Sequence, residues 1–131
     1  MTTLRRLHRE TPTTGFNFGR ELIIDLYECD AGILDDADAL RAYVKEIIDL
    51  IKMVPYGPCV VEHFGHANPI TSGYTVYQLI ETSCISLHLS PHLRTAHINI
   101  FSCQEFDLMA ALGFSEMRFG SKSSVYTVLS R

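Results

Sequence analysis

The chain has 131 residues, 47% hydrophobic and 20% charged, which is typical of one folded domain and not of a disordered chain. Its net charge of −4 at pH 7 argues against a surface for nucleic acid or an anionic membrane. No apolar run approaches the ~20 residues that cross a bilayer, and the N-terminal residues lack the apolar stretch of a secretory signal. We therefore expect a cytoplasmic protein that binds a small molecule, with no nucleic-acid or membrane partner.

Four cysteines are distributed along the chain, at Cys29, Cys59, Cys84 and Cys103. None belongs to a Cys-x-x-Cys pair, so neither a zinc knuckle nor a thioredoxin-like motif is indicated. In a reducing compartment they are expected to be free thiols, and each is first interpreted as a small buried hydrophobic residue.

The first elements follow a polar N-terminus. Residues 1–18 are rich in threonine and contain Pro12 and Gly15, which predicts a flexible arm ahead of a single domain over residues 19–131. The largely apolar run 21–27 predicts a buried strand.

A helix is predicted next. Asp35 or Asp36 is expected to cap it, because a short carboxylate accepts hydrogen bonds from the free amides of the first turn. Its apolar residues recur at helical spacing: Leu40, Val44, Ile47, Ile48 and Ile51. The segment Pro-Tyr-Gly-Pro at 55–58 predicts its end.

The second half reads mainly as strands. They are predicted over residues 59–64, 74–80, 84–89 and 95–103, followed by a short helix over 107–112 that ends at Gly113 and a last extended segment over 117–129. This order predicts an α+β fold: a two-layer sandwich with two helices on one face of a mainly antiparallel β-sheet.

The sequence Glu-His-Phe-Gly-His at 62–66 invites a metal interpretation. Zinc ligands of the His-Glu-x-x-His type lie four residues apart on a helix. Here His63 and His66 are three apart at the end of a predicted strand, where alternate side chains point to opposite faces. We expect surface histidines and no metal site.

Ser83, His88 and Cys103 are the remaining candidates for chemistry. Alternation along a strand places Cys84, Ser86 and His88 on one face, with Ser83 at the start of that strand. His88 and Cys103 are 15 residues apart, and a hairpin of that length can bring both toward one end or edge. Spacing alone leaves two interpretations open, a catalytic set and polar residues of the core.

At these residues the chain resembles the small prokaryotic form of the S-adenosylmethionine decarboxylase family, whose members are pyruvoyl enzymes. Residues 19–30 are similar to the family's opening strand, and residues 83–88 stand in the position of its Glu-Ser-His-x-Ser/Thr-Ile-His block. Residues 99–103 are similar to its Asp-x-Phe-Thr-Cys block. The spacings from Ser83 to His88 and from His88 to Cys103 both match the family.

The resemblance implies a self-cleaving proenzyme. Ser83 would attack the carbonyl of Thr82 to form an ester, and His88 would then remove the α-proton of Ser83, so that elimination leaves a pyruvoyl group on the chain 83–131. This pyruvoyl cofactor would form a Schiff base with the substrate amine and accept electrons as carbon dioxide leaves. Cys103 resembles the acid that returns a proton to the α-carbon.

The resemblance also implies a substrate and a partner. Tyr27 and Glu28 correspond to positions where the family supplies aromatic stacking and a carboxylate to the substrate pocket. The expected substrate is S-adenosylmethionine, used in polyamine (spermidine) biosynthesis, and the expected assembly is a homodimer with sites between two protomers.

Three departures from the family keep alternatives open. Thr82 stands where the family has Glu, Cys84 where it has His, and residues 89–92 replace its Thr-Trp-Pro-Glu. Two alternatives follow: a relative that decarboxylates ornithine or arginine, and an unprocessed homologue that acts as a non-catalytic partner or regulator.

Overall fold

The computed structural model describes residues 2–7 and 17–131, which form seven strands and three helices. The strands are β1 (Thr2–Leu7), β2 (Arg20–Tyr27), β3 (Pro55–Phe64), β4 (Gly73–Ile80), β5 (Ser83–Ser90), β6 (Thr95–Ser102) and β7 (Ser123–Ser130). The helices are α1 (Ala31–Leu34), α2 (Ala37–Leu50) and α3 (Leu108–Phe119). No helix within the described ranges is long and apolar enough to span a membrane.

All seven strands belong to one sheet, in the order β1-β7-β2-β6-β5-β4-β3. Every neighbouring pair is antiparallel except β1 and β7, which are parallel. The predicted α+β fold with a mainly antiparallel sheet is confirmed. The four-residue helix α1 adds to the two helices that were predicted.

One face of the sheet is buried under the helices. Its side chains form rows across the strands, such as Leu22–Ile100–Ile85 and Ile24–Ile98–Leu87. These residues are almost completely inaccessible to solvent and join one apolar core with the inner residues of α2 and α3. Because side chains alternate along a strand, the remaining side chains point to the opposite face, on which none of the helices in residues 2–7 and 17–131 packs; we call it the open face.

Helix α2 begins where the sequence predicts. The Asp36 carboxylate accepts hydrogen bonds from the amides of Asp38 (3.0 Å) and Ala39 (3.2 Å). The helix ends at Leu50, and the segment 55–58 does not cap it but opens β3. Gly57 adopts φ +71° there, within the irregularity that interrupts the β3–β4 pairing between Tyr56 and Val60.

Helix α3 is longer than predicted. Gly113 does not end it, because nothing surrounds the position of its missing Cβ and an interior glycine costs a helix only about 1 kcal/mol. The helix continues to Phe119 and ends at Gly120, whose φ of +61° is the left-handed conformation that a C-terminal cap requires. Residues 117–119, predicted as extended, are therefore helical.

The N-terminal prediction is wrong for residues 2–7. They form β1, which pairs along its whole length with residues 124–129 of β7. The pairing is made by backbone groups, which need no apolar pattern in the sequence. The rest of the predicted arm, including Pro12 and Gly15, lies largely outside the described residues, and the division of the chain into arm and domain stays a prediction.

A buried hydrogen bond joins the two long helices. The Tyr43 hydroxyl lies 2.7 Å from Ser115 Oγ, and Ser115 Oγ donates to the carbonyl of Ala111 at 2.7 Å. Tyr43 must therefore donate to Ser115. Burial raises the pKa of Tyr43, which keeps the phenol in its donor form.

We expect Ser115→Ala to destabilise the protein more than Tyr43→Phe. The first change leaves a buried phenol without an acceptor, at a cost of about 1–3 kcal/mol, whereas the second leaves Ser115 bonded to Ala111. The double variant should regain part of the loss. Urea unfolding at one protein concentration measures all three, and equal losses in the two single variants would contradict the assignment.

Candidate active site

The bond between Thr82 and Ser83 lies in a tight hairpin turn. Ile80 at the end of β4 pairs with Ser83 at the start of β5, so that Glu81 and Thr82 form a two-residue connection. Ser83 also pairs with Ser102 of β6. The Thr82–Ser83 bond, which the sequence resemblance predicts to be cleaved, thus lies where the turn from β4 enters β5.

The carbonyl of Thr82 is polarised by a backbone donor. The amide of Cys103 donates a hydrogen bond to it at 3.1 Å. The Thr82 hydroxyl lies 2.7 Å from Ser102 Oγ, and Ser102 Oγ accepts in turn from the amide of Gln104 at 3.0 Å. A donor fixed on a carbonyl oxygen stabilises the negative charge that develops there during nucleophilic attack.

Ser83 has an unusual backbone conformation. Its φ is +156°, a value that residues with a Cβ rarely adopt and that stores on the order of 1–3 kcal/mol. Among the residues that the structure describes, its hydroxyl makes one weak contact, with Oγ 4.0 Å from Cys84 Sγ. The turn therefore combines backbone strain with a hydroxyl that no described residue holds by a strong hydrogen bond.

Cys103 lies at the same end of the sheet as Ser83. It follows the last residue of β6, and its amide is the donor to Thr82. Its thiol is exposed, whereas Cys29 is buried; all four cysteines are free. The structure thus brings Thr82, Ser83 and Cys103 together.

His88 lies at the other end of β5. Cys84, Ser86 and His88 share the open face, as alternation predicts, but Ser83 and His88 are five residues apart on an extended strand, or about 16 Å. His88 pairs with His97 at the far end of β6. The expectation that the hairpin brings His88 and Cys103 to one end is wrong. His88 lies opposite the start of β6, whereas Cys103 follows the end of β6.

The surroundings of His88 keep it uncharged. Its Nδ1 lies 2.8 Å from the Thr75 hydroxyl of β4. Partial burial lowers the pKa of His88, and the neighbouring His97 lowers it further. A neutral imidazole at neutral pH is the form that can accept a proton.

Asp25 and His97 were not singled out in the sequence. Asp25 Oδ1 lies 2.7 Å from His97 Nδ1, on the row of the open face that also contains His88. The signal was available, since both residues alternate with buried apolar residues of predicted strands. What the sequence could not show was that the two strands are neighbours.

Tyr27 and Glu28 lie at the His88 end of the sheet. Leu26 pairs with Ala96, which pairs with Leu89, so the end of β2 adjoins the end of β5. Both Tyr27 and Glu28 are exposed. Within one chain, the expected substrate contacts are therefore on the side of His88 and away from Ser83.

The histidines of the β3–β4 turn are closer together than predicted. Gly65 adopts φ +82°, and the chain turns back so that His63 Nδ1 lies 3.4 Å from His66 Nε2. The expectation of opposite faces is wrong because the strand ends at Phe64. Across residues 2–7 and 17–131, no cluster of three or more potential ligands that could hold a metal is found.

Comparison with known proteins gives a consistent family. The family model described as S-adenosylmethionine decarboxylase matches residues 20–131. An S-adenosylmethionine decarboxylase proenzyme of Saccharolobus solfataricus is 29% identical over 92 residues, covering 65% of this chain and 63% of the relative. The proenzyme of Pyrobaculum arsenaticum is 30% identical over 104 residues, covering 73% and 74%.

A solved structure shows the same fold. The crystal structure of the adenosylmethionine decarboxylase from Aquifex aeolicus superposes with a TM-score of 0.75 at 20% identity, covering 88% of this chain and 91% of that one. The chain thus spans a little under two thirds of the Saccharolobus relative and nearly all of the solved one. The match of the family model over residues 20–131 establishes that the chain belongs to the S-adenosylmethionine decarboxylase family.

Proposed function

We propose that the chain is a self-processing, pyruvoyl-dependent decarboxylase that acts on S-adenosylmethionine in the cytoplasm and serves polyamine biosynthesis. One observation carries the proposal: the Thr82–Ser83 bond lies in a strained turn, with its carbonyl hydrogen-bonded to the amide of Cys103. The names of the relatives, which are proenzymes, support it.

Processing begins at the turn. Ser83 Oγ attacks the Thr82 carbonyl carbon, the C–N bond breaks, and Thr82 becomes the acyl group of an ester on Ser83. The amide of Cys103, already 3.1 Å from the carbonyl oxygen, stabilises the charge on that oxygen during attack. Relief of the unusual φ of Ser83 favours the rearrangement.

Elimination and hydrolysis complete the processing. A base removes the α-proton of Ser83, the Cα–Cβ double bond forms, and the ester oxygen leaves with Thr82 as a carboxylate. Water then hydrolyses the resulting dehydroalanine, releasing ammonia and leaving a pyruvoyl group at the start of the chain 83–131. The group would supply a ketone that accepts electrons during loss of carbon dioxide, and we assign the return of a proton to the exposed thiol of Cys103.

The base comes from a second copy of the chain. His88 is about 16 Å along β5 from the Ser83 of its own chain, which is too far for proton transfer. If two open faces pack together about a two-fold axis, the Ser83 end of one sheet meets the His88 end of the other. Tyr27 and Glu28 would then reach the partner's cleavage site, and each site of the homodimer would contain residues of both protomers.

The open face is suited to such packing. Tyr56, Tyr77 and Leu79 are exposed by 60%, 46% and 44% on adjoining parts of β3 and β4. Neighbouring aromatic and aliphatic side chains of this size mark surfaces that associate. A second copy of the chain is the occupant that also completes the site.

We expect intact-mass analysis of purified protein to show two chains, split between Thr82 and Ser83. Ser83→Ala removes the attacking hydroxyl and should give only the uncleaved 131-residue chain. Ser86→Ala, on the same strand, is the matched control and should be cleaved normally. An uncleaved wild-type chain under all conditions would favour the non-catalytic alternative.

We expect His88→Ala to stop processing at the ester, because no base removes the α-proton. Hydroxylamine should then cleave this variant between Thr82 and Ser83. Mixing with Ser83→Ala during refolding should restore cleavage of the His88→Ala chain, since the Ser83→Ala partner supplies an intact His88. Failure of the mixture, with the single variants behaving as expected, would contradict a site shared between protomers.

We expect Cys103→Ala to be processed, because the backbone amide at position 103 remains, but to lose about 10²-fold or more in decarboxylation rate. Cys59→Ala is the control, since this thiol lies between β3 and α2, away from the turn.

Carbon dioxide release should be measured with S-adenosylmethionine, ornithine and arginine in parallel. Faster release from either amino acid would replace the proposed substrate.

A further inference from the structure

A row of four polar side chains crosses the open face at the His88 end. Asp25 on β2 faces His97 on β6, His97 faces His88 on β5, and His88 faces Thr75 on β4. The hydrogen bonds at the two ends of the row are short, 2.7 Å from Asp25 to His97 and 2.8 Å from Thr75 to His88. Processing chemistry at Ser83 uses only His88 of this row.

We propose that Asp25 and His97 are positioning residues that keep His88 in its neutral, proton-accepting form as the pH falls. The proposal rests on the proposed function, since it assigns His88 the role of the base. Asp25 and His97 touch neither the reacting bond nor, in this chain, the serine, and they act through His88.

His97 is held at both ring nitrogens. Its Nδ1 donates to Asp25 Oδ1 at 2.7 Å, and its Nε2 lies 3.1 Å from the Thr95 hydroxyl. The contact with Asp25 is an ion pair whenever the ring is protonated. When this ring carries a proton on both nitrogens, the carboxylate accepts a hydrogen bond from one and the Thr95 hydroxyl can accept from the other.

His88 has a different set of neighbours. Its Nδ1 faces a neutral hydroxyl, and its position is partly buried. Within its own chain, His97 on β6 is the titratable group that faces it directly, while Asp25 lies beyond His97 and Glu62 of β3 lies beyond Thr75. In the proposed dimer, the Ser83 end of the second copy, with its Cys103, also faces His88. The helices pack on the opposite face.

These differences decide which ring of the row lies beside a negative charge. A positive charge on the His97 ring would pair with the Asp25 carboxylate and would oppose a positive charge on His88. Burial lowers the pKa of His88, and the adjacent His97 lowers it further. A base needs this arrangement, because a protonated His88 could not accept the α-proton.

The direct test is an NMR titration of the His88 ring in the full chain carrying Ser83→Ala, which cannot be cleaved. His97→Gln should shift the His88 titration to higher pH, while His97→Lys, which keeps a cation, should leave it near its original position. Asp25→Asn should abolish the hydrogen-bonded Nδ1 proton signal of His97. His66→Gln, on the β3–β4 turn, is the control and should change nothing.

An unchanged His88 titration in His97→Gln would overturn the proposal. So would an equal shift in His97→Gln and His97→Lys, because that would show a structural effect and not an effect of charge. These measurements need no processing, and they decide the proposal even if the wild-type chain is not cleaved.

Processing kinetics give the second readout. With Ser83 intact, His97→Gln should match the wild-type rate at a pH of about 8, where His88 is neutral in both, and fall behind at a pH of about 6. A loss of the same size at both values would mean that His97 only supports the fold. A wild-type chain that is never cleaved would refute the proposed function, with the titration still standing.

Discussion

Burial of one face of the sheet fixes the register of its strands. Ile85, Leu87 and Leu89 of β5 lie in the core beside residues of β6, and a slip by one position would turn them to the open face and bury His88 instead. Losing three such side chains from the core would cost several kcal/mol, at about 1.5–3 kcal/mol each. The same register sets the Cys103 amide on the Thr82 carbonyl, so the core packing determines the geometry of the turn.

Much of the fold could be predicted because burying one face of a strand or helix requires apolar residues at a regular spacing along the sequence. Apolar residues recur every second position in the strand over 95–102 and about every 3.6 positions in helix α2, and both elements lie where these patterns predict. Strand β1 escaped prediction because its pairing with β7 is made by backbone groups. The end of α3 was misplaced because Gly113 lies where a glycine causes no break, while Gly120 adopts the left-handed conformation.

The candidate site, too, could be predicted from the sequence only in part. Period two correctly put Cys84, Ser86 and His88 on one face, but spacing could not show which ends of neighbouring strands meet. Asp25 and His97 are 72 residues apart, and only the pairing of β2 with β6 makes them neighbours. Long-range pairing is a property of the whole sheet, which local pattern does not encode.

The strand order determines whether the two chains would stay together after cleavage of the backbone. A break between Thr82 and Ser83 would leave β1–β4 in one polypeptide and β5–β7 in the other. In the sheet these strands interleave: β7 lies between β1 and β2, β6 borders β2, and β5 borders β4. Four ladders of backbone hydrogen bonds would therefore tie the two pieces together, and neither could leave without dismantling the core. Cleavage would be chemically irreversible, yet it would leave the fold unchanged, because the strands of both chains would remain in a single sheet.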